Sequence, residues 1–328
     1  MLDLANQTRS LIAFHDHGAE EESFQDATLE GLSRPYKAIP CRFLYDEAGS
    51  ALFDKICELP EYYPTRTEMS ILSASAAEIA RRVGPQAELI ELGSGSSVKV
   101  RLLLDAMDQP SAYIAVDVSR EHLRRAAEAL AVELPHIRVA AICADYSTAF
   151  PLPDLAGQGR RVAFFPGSTI GNLEPGEALA FLQLWARRLG PDAAMIVGVD
   201  LKKDAAILDA AYDDAQGVTA AFSQNLLVRA NRELDADFLV GRFVHQAHYD
   251  AGPGRVEIHL CSLDDCTVHV AGQPVAFAAG ERVHVEHSYK YGIEQFQAVA
   301  RRAGFEPAAV FTDPDALFSV HYLTTPAA

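Results

Sequence analysis

Cysteine is scarce and unpaired. The five residues Cys41, Cys57, Cys143, Cys261 and Cys266 among 328 are an odd number without a CxxC spacing, which supports neither a disulfide framework nor a zinc knuckle. Reduced thiols, mostly in the core, are expected. Long apolar runs are missing too, since none approaches the roughly 20 residues that a membrane span needs. The opening "MLDLANQTRSLIAFHDHGAEEE" has acids where a secretion signal carries bases ahead of a long apolar core. A cytoplasmic location is expected. Basic residues are the third shortage: 28 Lys and Arg stand against 45 Asp and Glu, for a formal net charge of −17. Broad nucleic-acid binding depends on clustered Lys and Arg that release counterions, so the charge argues against a broad phosphate-binding surface. The expected partner is a small molecule, with no nucleic acid, no membrane and a monomeric chain.

What is present is a large apolar fraction, 49% of the residues, enough to bury a substantial core in two domains or in one domain with an insertion. No internal repeat or low-complexity linker divides the chain. From about 66 to 83, "RTEMSILSASAAEIARRV" carries apolar residues at helical spacing and stops at Gly84-Pro85. Short β-rich runs then alternate with helical ones: "ELIEL", "VRLLLDAM", "AYIAVDV", "REHLRRAAEALAVEL", "IRVAAICAD", "RVAFFPGS", "GEALAFLQLWARRL" and "AAMIVGVD". Repeated βαβ units on a parallel sheet have this pattern.

After Asp200 the pattern changes. Two helical stretches lead into "FVHQAHYD", "RVEIHLCSL", "CTVHVAG" and "VHVEHSYKY", strand-like and antiparallel, with "DAGPG" as a hairpin turn. The final "IEQFQAVARRAGF" helix and the "AAVFTD" and "FSVHYLTT" runs are expected to rejoin the first sheet. The predicted organisation is an α/β, Rossmann-like core over 66–200, an inserted α+β substrate domain over 201–285, a C-terminal segment over 286–328 and an N-terminal helical segment over 1–65 covering the site.

The loop in "ELIELGSGSSVKV" sets the ligand question. A Walker loop needs Gly-Lys-Ser/Thr five residues after its first glycine, and Gly93 is followed there by Val98. A dinucleotide fingerprint needs its third glycine at that same position. ATP through that motif is excluded and NAD disfavoured. S-adenosylmethionine sites instead place an acid at the end of the first strand, a Gly-x-Gly turn, and further acids at the next strand ends. Glu91, Gly93 and Gly95, Asp117, and Asp145-Tyr146 meet that order. Asp117 would accept from the ribose hydroxyls and Asp145 from the adenine amino group. The competing reading is that strand-end Asp residues are helix caps.

Beyond the loop, "FLYDEAGSALFDKICELPEYYPTRTE", "FFPGSTIGNLEP", "GVDLKKD", "RVEIHL" and "VEHSYKY" resemble the histidine-specific S-adenosylmethionine-dependent methyltransferases, which form hercynine for ergothioneine biosynthesis. The resemblance runs over nearly the whole chain after residue 35. It implies a Rossmann-like domain with a second α+β domain, S-adenosylmethionine as cofactor and no metal. It further implies that Asn172, Tyr62 and Tyr212 hold the substrate carboxylate and amine, with Tyr45 and Gly167 near the reacting amine and cofactor. Tyr45 and Asn172 are thus the catalytic candidates, and Lys99 reaches the cofactor carboxylate. Glu286 and Ser288, two apart on a strand, would read the imidazole nitrogens from one face. Ile258 departs from the family, which often carries Met there. Methylation of another aromatic amino acid such as tryptophan is the alternative activity, and a non-catalytic S-adenosylmethionine-binding protein the alternative class. The histidines crowded between 245 and 287 match no specific metal motif.

Overall fold

The structure is a computed structural model and describes residues 13–17, 23–94, 98–153, 155 and 159–327. The elements before the first long parallel run are β1 (Ala13–Asp16), α1 (Phe24–Ser33), α2 (Glu47–Glu58) and α3 (Tyr63–Val83). There follow β2 (Glu88–Leu92), α4 (Val98–Ala106), β3 (Ala112–Asp117), α5 (Arg120–Glu133), β4 (Arg138–Cys143), β5 (Arg161–Phe165), α6 (Pro175–Leu189) and β6 (Ala194–Asp200). Next are α7 (Ala205–Tyr212), α8 (Val218–Glu233), β7 (Phe243–Asp250), β8 (Arg255–Ser262), β9 (Cys266–Val270), β10 (Gln273–Phe277) and β11 (Arg282–Tyr289). The chain closes with α9 (Ile293–Arg302), β12 (Glu306–Thr312) and β13 (Phe318–Thr324). Among the described residues no helix is long and apolar enough to cross a membrane.

Two compact units result. Unit 1 comprises the described part of Met1–Glu20 with Thr67–Leu201 and Tyr291–Ala328; unit 2 comprises the described part of Glu21–Arg66 with Lys202–Lys290. The residues expected as one N-terminal helical segment are therefore shared between the units, and they include a strand. At four residues, β1 is too short to show periodicity, and only its parallel pairing with β4 makes it a strand. The boundary expected at 285/286 falls inside β11, whose backbone ladder with β8 keeps Glu286–Tyr289 in unit 2.

Unit 1 is an α/β fold of the Rossmann-like kind. Its eight-stranded sheet has the order β1-β4-β3-β2-β5-β6-β13-β12. The first six strands are parallel, and β13 and β12 add antiparallel pairs at one edge. Near-continuous apolar runs suit strands covered on both faces, and every residue of β2 and β6 is buried. Helix α3 begins with Pro64 in its first turn and gives way to Gly84 at φ +85°. Its Ile71, Leu72 and Ile79 join Leu89, Leu103, Leu123, Phe164 and Val320 in one core. Chain order along the sheet reverses between β2 and β5. In such sheets ligands bind outside the carboxyl ends of the strands at this reversal. The segments that leave there are Gly93-Ser94 and Pro166-Gly167-Ser168.

Unit 2 is α+β. Its three-stranded antiparallel sheet has the order β11-β8-β7, with a separate β9-β10 hairpin. The β7-β8 turn is held by Gly254 N–H donating to Asp250 O at 2.9 Å and by Gly252 N–H donating to the Asp250 carboxylate at 2.8 Å. Helices α7 and α8 pack on this sheet, and α2 packs on α8.

Candidate functional site

In unit 1 the polar candidates lie at the carboxyl ends of β2, β3, β4 and β5. Gly93 has φ +76°, and a Cβ there would stand 3.7 Å from the Tyr146 ring. Tyr146 is set edge-on against Phe165 and Phe181, while its carbonyl accepts from Trp185 Nε1 at 3.0 Å. Ser94 Oγ is buried without a hydrogen-bond partner among the described residues. Asp117 accepts from Ser119 N–H at 2.8 Å, and Asp145 accepts from both the N–H and the hydroxyl of Ser147. Both Asp residues thus make local turn contacts while staying half-exposed. Gly95 lies outside the described residues.

Glu91 is differently placed. Its carboxyl is buried and accepts from the Tyr113 hydroxyl at 2.5 Å. Burial pushes its pKa up to about 8, against the opposing effects of the Tyr113 hydrogen bond and the Lys99 charge. Tyr113 itself, buried against this acid, is pushed well above the ordinary tyrosine value.

A carboxylate that sequence reasoning passed over organises the β5 end. Glu68 on α3 is fully buried, takes the Gly167 N–H at 2.9–3.0 Å on its two oxygens, and pairs with Lys99 Nζ at 2.6 Å. Gly198 on β6 makes room for it, because a Cβ there would come within 2.0 Å of the carboxylate. Gly167 at φ +80° and Ser168 at φ +58° take consecutive left-handed conformations, unusual for serine. The Ser168 hydroxyl accepts from Asp200 N–H at 2.9 Å and holds that turn. Asn172 ends the short 3-10 turn Thr169–Asn172 that follows.

In unit 2 the candidates gather on the inward face of the sheet. Cross-strand partners share a face, so Glu286 with Ile258, Ser288 with Val256, and Val283 with Leu260 belong together. Simple alternation from Val283 would turn Glu286 and Ser288 the other way. A β-bulge between His284 and Glu286 inserts Val285 as an extra residue and restores the inward parity. Both Glu286 and Ser288 are buried. The opposite face collects His248, His259, His284, His287 and Glu257. Burial first, then the neighbouring His259 and His287, pushes His284 down to about 4. Among the described residues no group of His, Cys, Asp or Glu is arranged to hold a metal ion.

Helix α7 brings the Tyr212 hydroxyl to 3.1 Å from Ser288 Oγ. The Tyr62 ring stands edge-on to Tyr212 at 6.0 Å and to Phe53 at 6.2 Å. Burial raises the Tyr62 hydroxyl well above its ordinary value, reinforced by Tyr212, Cys57, Tyr45 and Glu286 around it. Its neighbour Tyr63 has its hydroxyl on Lys203 instead. Tyr45, 37% exposed, rests edge-on against Phe53 and Phe222. The turn that carries it is fixed by Asp46, which accepts from Gly49 N–H at 2.8 Å, Asn225 Nδ2 at 2.7 Å and Arg232 at 2.7 Å.

Residues 24–325 match the family model described as histidine-specific methyltransferase, SAM-dependent. The chain belongs to that methyltransferase family. It is 41% identical over 312 residues to the histidine N-alpha-methyltransferase of Mycolicibacterium smegmatis, covering 94% of this chain and 96% of that one. The corresponding Mycobacterium tuberculosis enzyme is 40% identical over 288 residues, covering 86% and 89%. The 4-dimethylallyltryptophan N-methyltransferase of Aspergillus fumigatus is 27% identical over 315 residues, covering 90% and 91%.

The family's cofactor fits unit 1. The Ser94 hydroxyl, without a hydrogen-bond partner among the described residues, the Gly93 turn against the Tyr146 ring, the half-exposed Asp117 and Asp145, and Lys99 beside Gly167 offer donors, acceptors and an aromatic face. Glu91 contributes differently from its neighbours, because Tyr113 seals it inside. Besides Glu68, sequence reasoning missed Lys290 and Asp46. A signal for Lys290 was available: Glu286, Ser288 and Lys290 form a polar i, i+2, i+4 series.

Proposed function

We propose that this methyltransferase moves methyl groups from S-adenosylmethionine to the α-amino nitrogen of L-histidine, up to the trimethylated betaine hercynine, the first step of ergothioneine biosynthesis. The observation that carries the reading is the bulge-set pair Glu286 and Ser288, turned inward beside Tyr212 and Tyr62. A carboxylate and a hydroxyl on one face offer partners for both imidazole nitrogens, whereas an indole has one N–H and no second ring nitrogen. S-adenosylmethionine supplies the methyl on a sulfonium, an electrophile already activated for in-line attack by an uncharged amine.

Glu286 and Ser288 hold the ring while Tyr62 and Tyr212 offer hydroxyls to the amino-acid end, and Tyr45 is proposed near the reacting amine. Asn172 is proposed for the amino-acid end because it offers both a donor and an acceptor to a zwitterion without adding charge. Gly93 and Gly95, Lys99, Asp117, Asp145 and Tyr146 are proposed to hold the cofactor, with Gly167 kept open by its lack of a side chain. Fixing the carboxylate and ring while the amine turns between rounds lets one site present a new lone pair each time.

Mass spectrometry of the protein with S-adenosylmethionine and each of the twenty amino acids separately tests this. Histidine gaining three methyl groups supports it. Gain on tryptophan alone supports the second reading, toward which the fungal dimethylallyltryptophan relative points. No gain on any amino acid overturns both.

A further inference from the structure

Lys290 follows β11 directly and is only 1% exposed. Its backbone N–H donates to Gly254 O at 2.9 Å, and its Nζ lies 4.6 Å from the centre of the Tyr212 ring. Nζ donates to Tyr212 Oη at 2.7 Å and to Ser288 Oγ at 2.8 Å. Tyr212 Oη in turn donates to Ser288 Oγ at 3.1 Å. The three side chains close a triangle.

A lysine ammonium has three donors and no acceptor, and a serine hydroxyl has one donor and two lone pairs. Both Ser288 lone pairs are therefore occupied, one by Lys290 and one by Tyr212. What Ser288 retains for a ligand is its own proton. Tyr212 has directed its proton to Ser288. We propose that Lys290 is a positioning residue that fixes Ser288 as a hydrogen-bond donor and so restricts the ring read by Glu286 and Ser288 to a neutral imidazole, N–H toward Glu286 and bare nitrogen toward Ser288.

The inference rests on the assignment of Glu286 and Ser288 to the imidazole. It adds a direction to each hydrogen bond. Imidazolium carries two N–H groups and would meet the Ser288 proton head-on. An indole would satisfy Glu286 and leave a buried donor unpaired, which is costly. Were Lys290 unable to donate, Ser288 could turn and accept, and imidazolium would suit the pair.

Around this triangle the titratable and charged groups are Glu286 on β11, Tyr249 on β7 and Tyr62 ahead of α3, with His245 at the Tyr212 carbonyl, Asp209 at the Tyr249 N–H and Lys202 against Gly254. All are common to the wild type and to variants at 290, so a difference between them isolates Lys290.

The test is calorimetric titration of L-histidine into the protein saturated with S-adenosylhomocysteine, between pH 7.5 and 5.5. With an ordinary imidazole pKa of about 6.5, wild-type affinity is expected to fall about tenfold over that span. Lys290→Met keeps the aliphatic bulk and removes the donors; its fall is expected to shrink to about twofold or less. Lys290→Gln, with two amide donors, is expected to restore the wild-type slope. Unchanged S-adenosylhomocysteine affinity certifies that each variant is folded. A wild-type affinity that holds or rises toward pH 5.5 overturns the proposal whether or not any variant folds. So does a folded Lys290→Met variant with the wild-type profile. Ser288→Ala separates the two layers: no loss of histidine affinity would overturn the imidazole assignment itself, whereas loss there with a wild-type-like Lys290→Met sinks the Lys290 inference alone.

Discussion

In unit 1 the candidate residues stand where parallel strands end, at Gly93, Asp117, Asp145 and Gly167. In unit 2 they stand inside an antiparallel strand, at Glu286 and Ser288. A strand end delivers its residue to the same edge of the sheet through chain direction, and local turns such as Asp117 with Ser119 N–H then aim it. A mid-strand residue is delivered by parity, and one extra residue reverses it. Unit 1 consequently tolerates imprecision in register, while unit 2 depends on the single bulged position Val285. The buried carboxylates differ in the same way. Glu68 pairs with Lys99 and a backbone N–H, Glu91 is closed off by a tyrosine, and Glu286 faces the inward cluster.

Breaking each side separately sharpens the contrast. The largest effect is expected for Glu68→Ala, which leaves Lys99 without its buried partner and Gly167 N–H without its acceptor. Removing one member of a buried pair costs about 3 kcal/mol or more, read as a lower urea midpoint, and S-adenosylhomocysteine binding should weaken with it. A variant of wild-type stability and cofactor affinity would show that the β5 loop holds its left-handed turn unaided. Next, Glu286→Ala combined with Ser288→Ala should weaken histidine binding roughly a hundredfold, about 3 kcal/mol by loss of two buried hydrogen bonds, with cofactor affinity essentially unchanged. Retained histidine affinity in calorimetry would mean that the inward parity is not what reads the ring.

The smallest expected effect concerns pH. Glu91 has a folded pKa raised from 4.5 to about 8, so between these values the folded state binds the extra proton. Its contribution to stability is complete below about pH 4.5 and is lost as pH rises through about 8. Glu91→Gln mimics the protonated form. It should remove that decline, so that the variant's urea midpoint at pH 8.5 lies above that of the wild type. Parallel urea-midpoint profiles for wild type and variant would show instead that Glu91 is ionised in the folded protein.

Much of this molecule was legible before its structure. The alternation from "ELIEL" to "AAMIVGVD" announces a parallel sheet because strands buried on both faces must be apolar throughout, and acids at their ends stand out against that background. The i, i+2 spacing of Glu286 and Ser288 placed both on one face of a strand. Other features were hidden because no local pattern records them. Four residues of β1 become a strand only beside β4, and Glu68 reads as an ordinary helix-surface acid until α3 is packed beneath the β5 loop. Gly198 gives no hint that its missing side chain is the space for that acid.

The sequence by itself determined that unit 1 has a glycine turn and acids at successive strand ends, since these follow from chain order alone. It also determined the residue types available in unit 2. Only the tertiary structure decided which way those residues face and which protons they have left to offer. Parity across β8 and β11 turns on the bulge at Val285, and the donor role of Ser288 turns on Lys290 and Tyr212, which reach it from beyond the strand and from another helix. Hydrogen-bond direction is set by the partners a group meets in space, and those partners can lie anywhere along the chain.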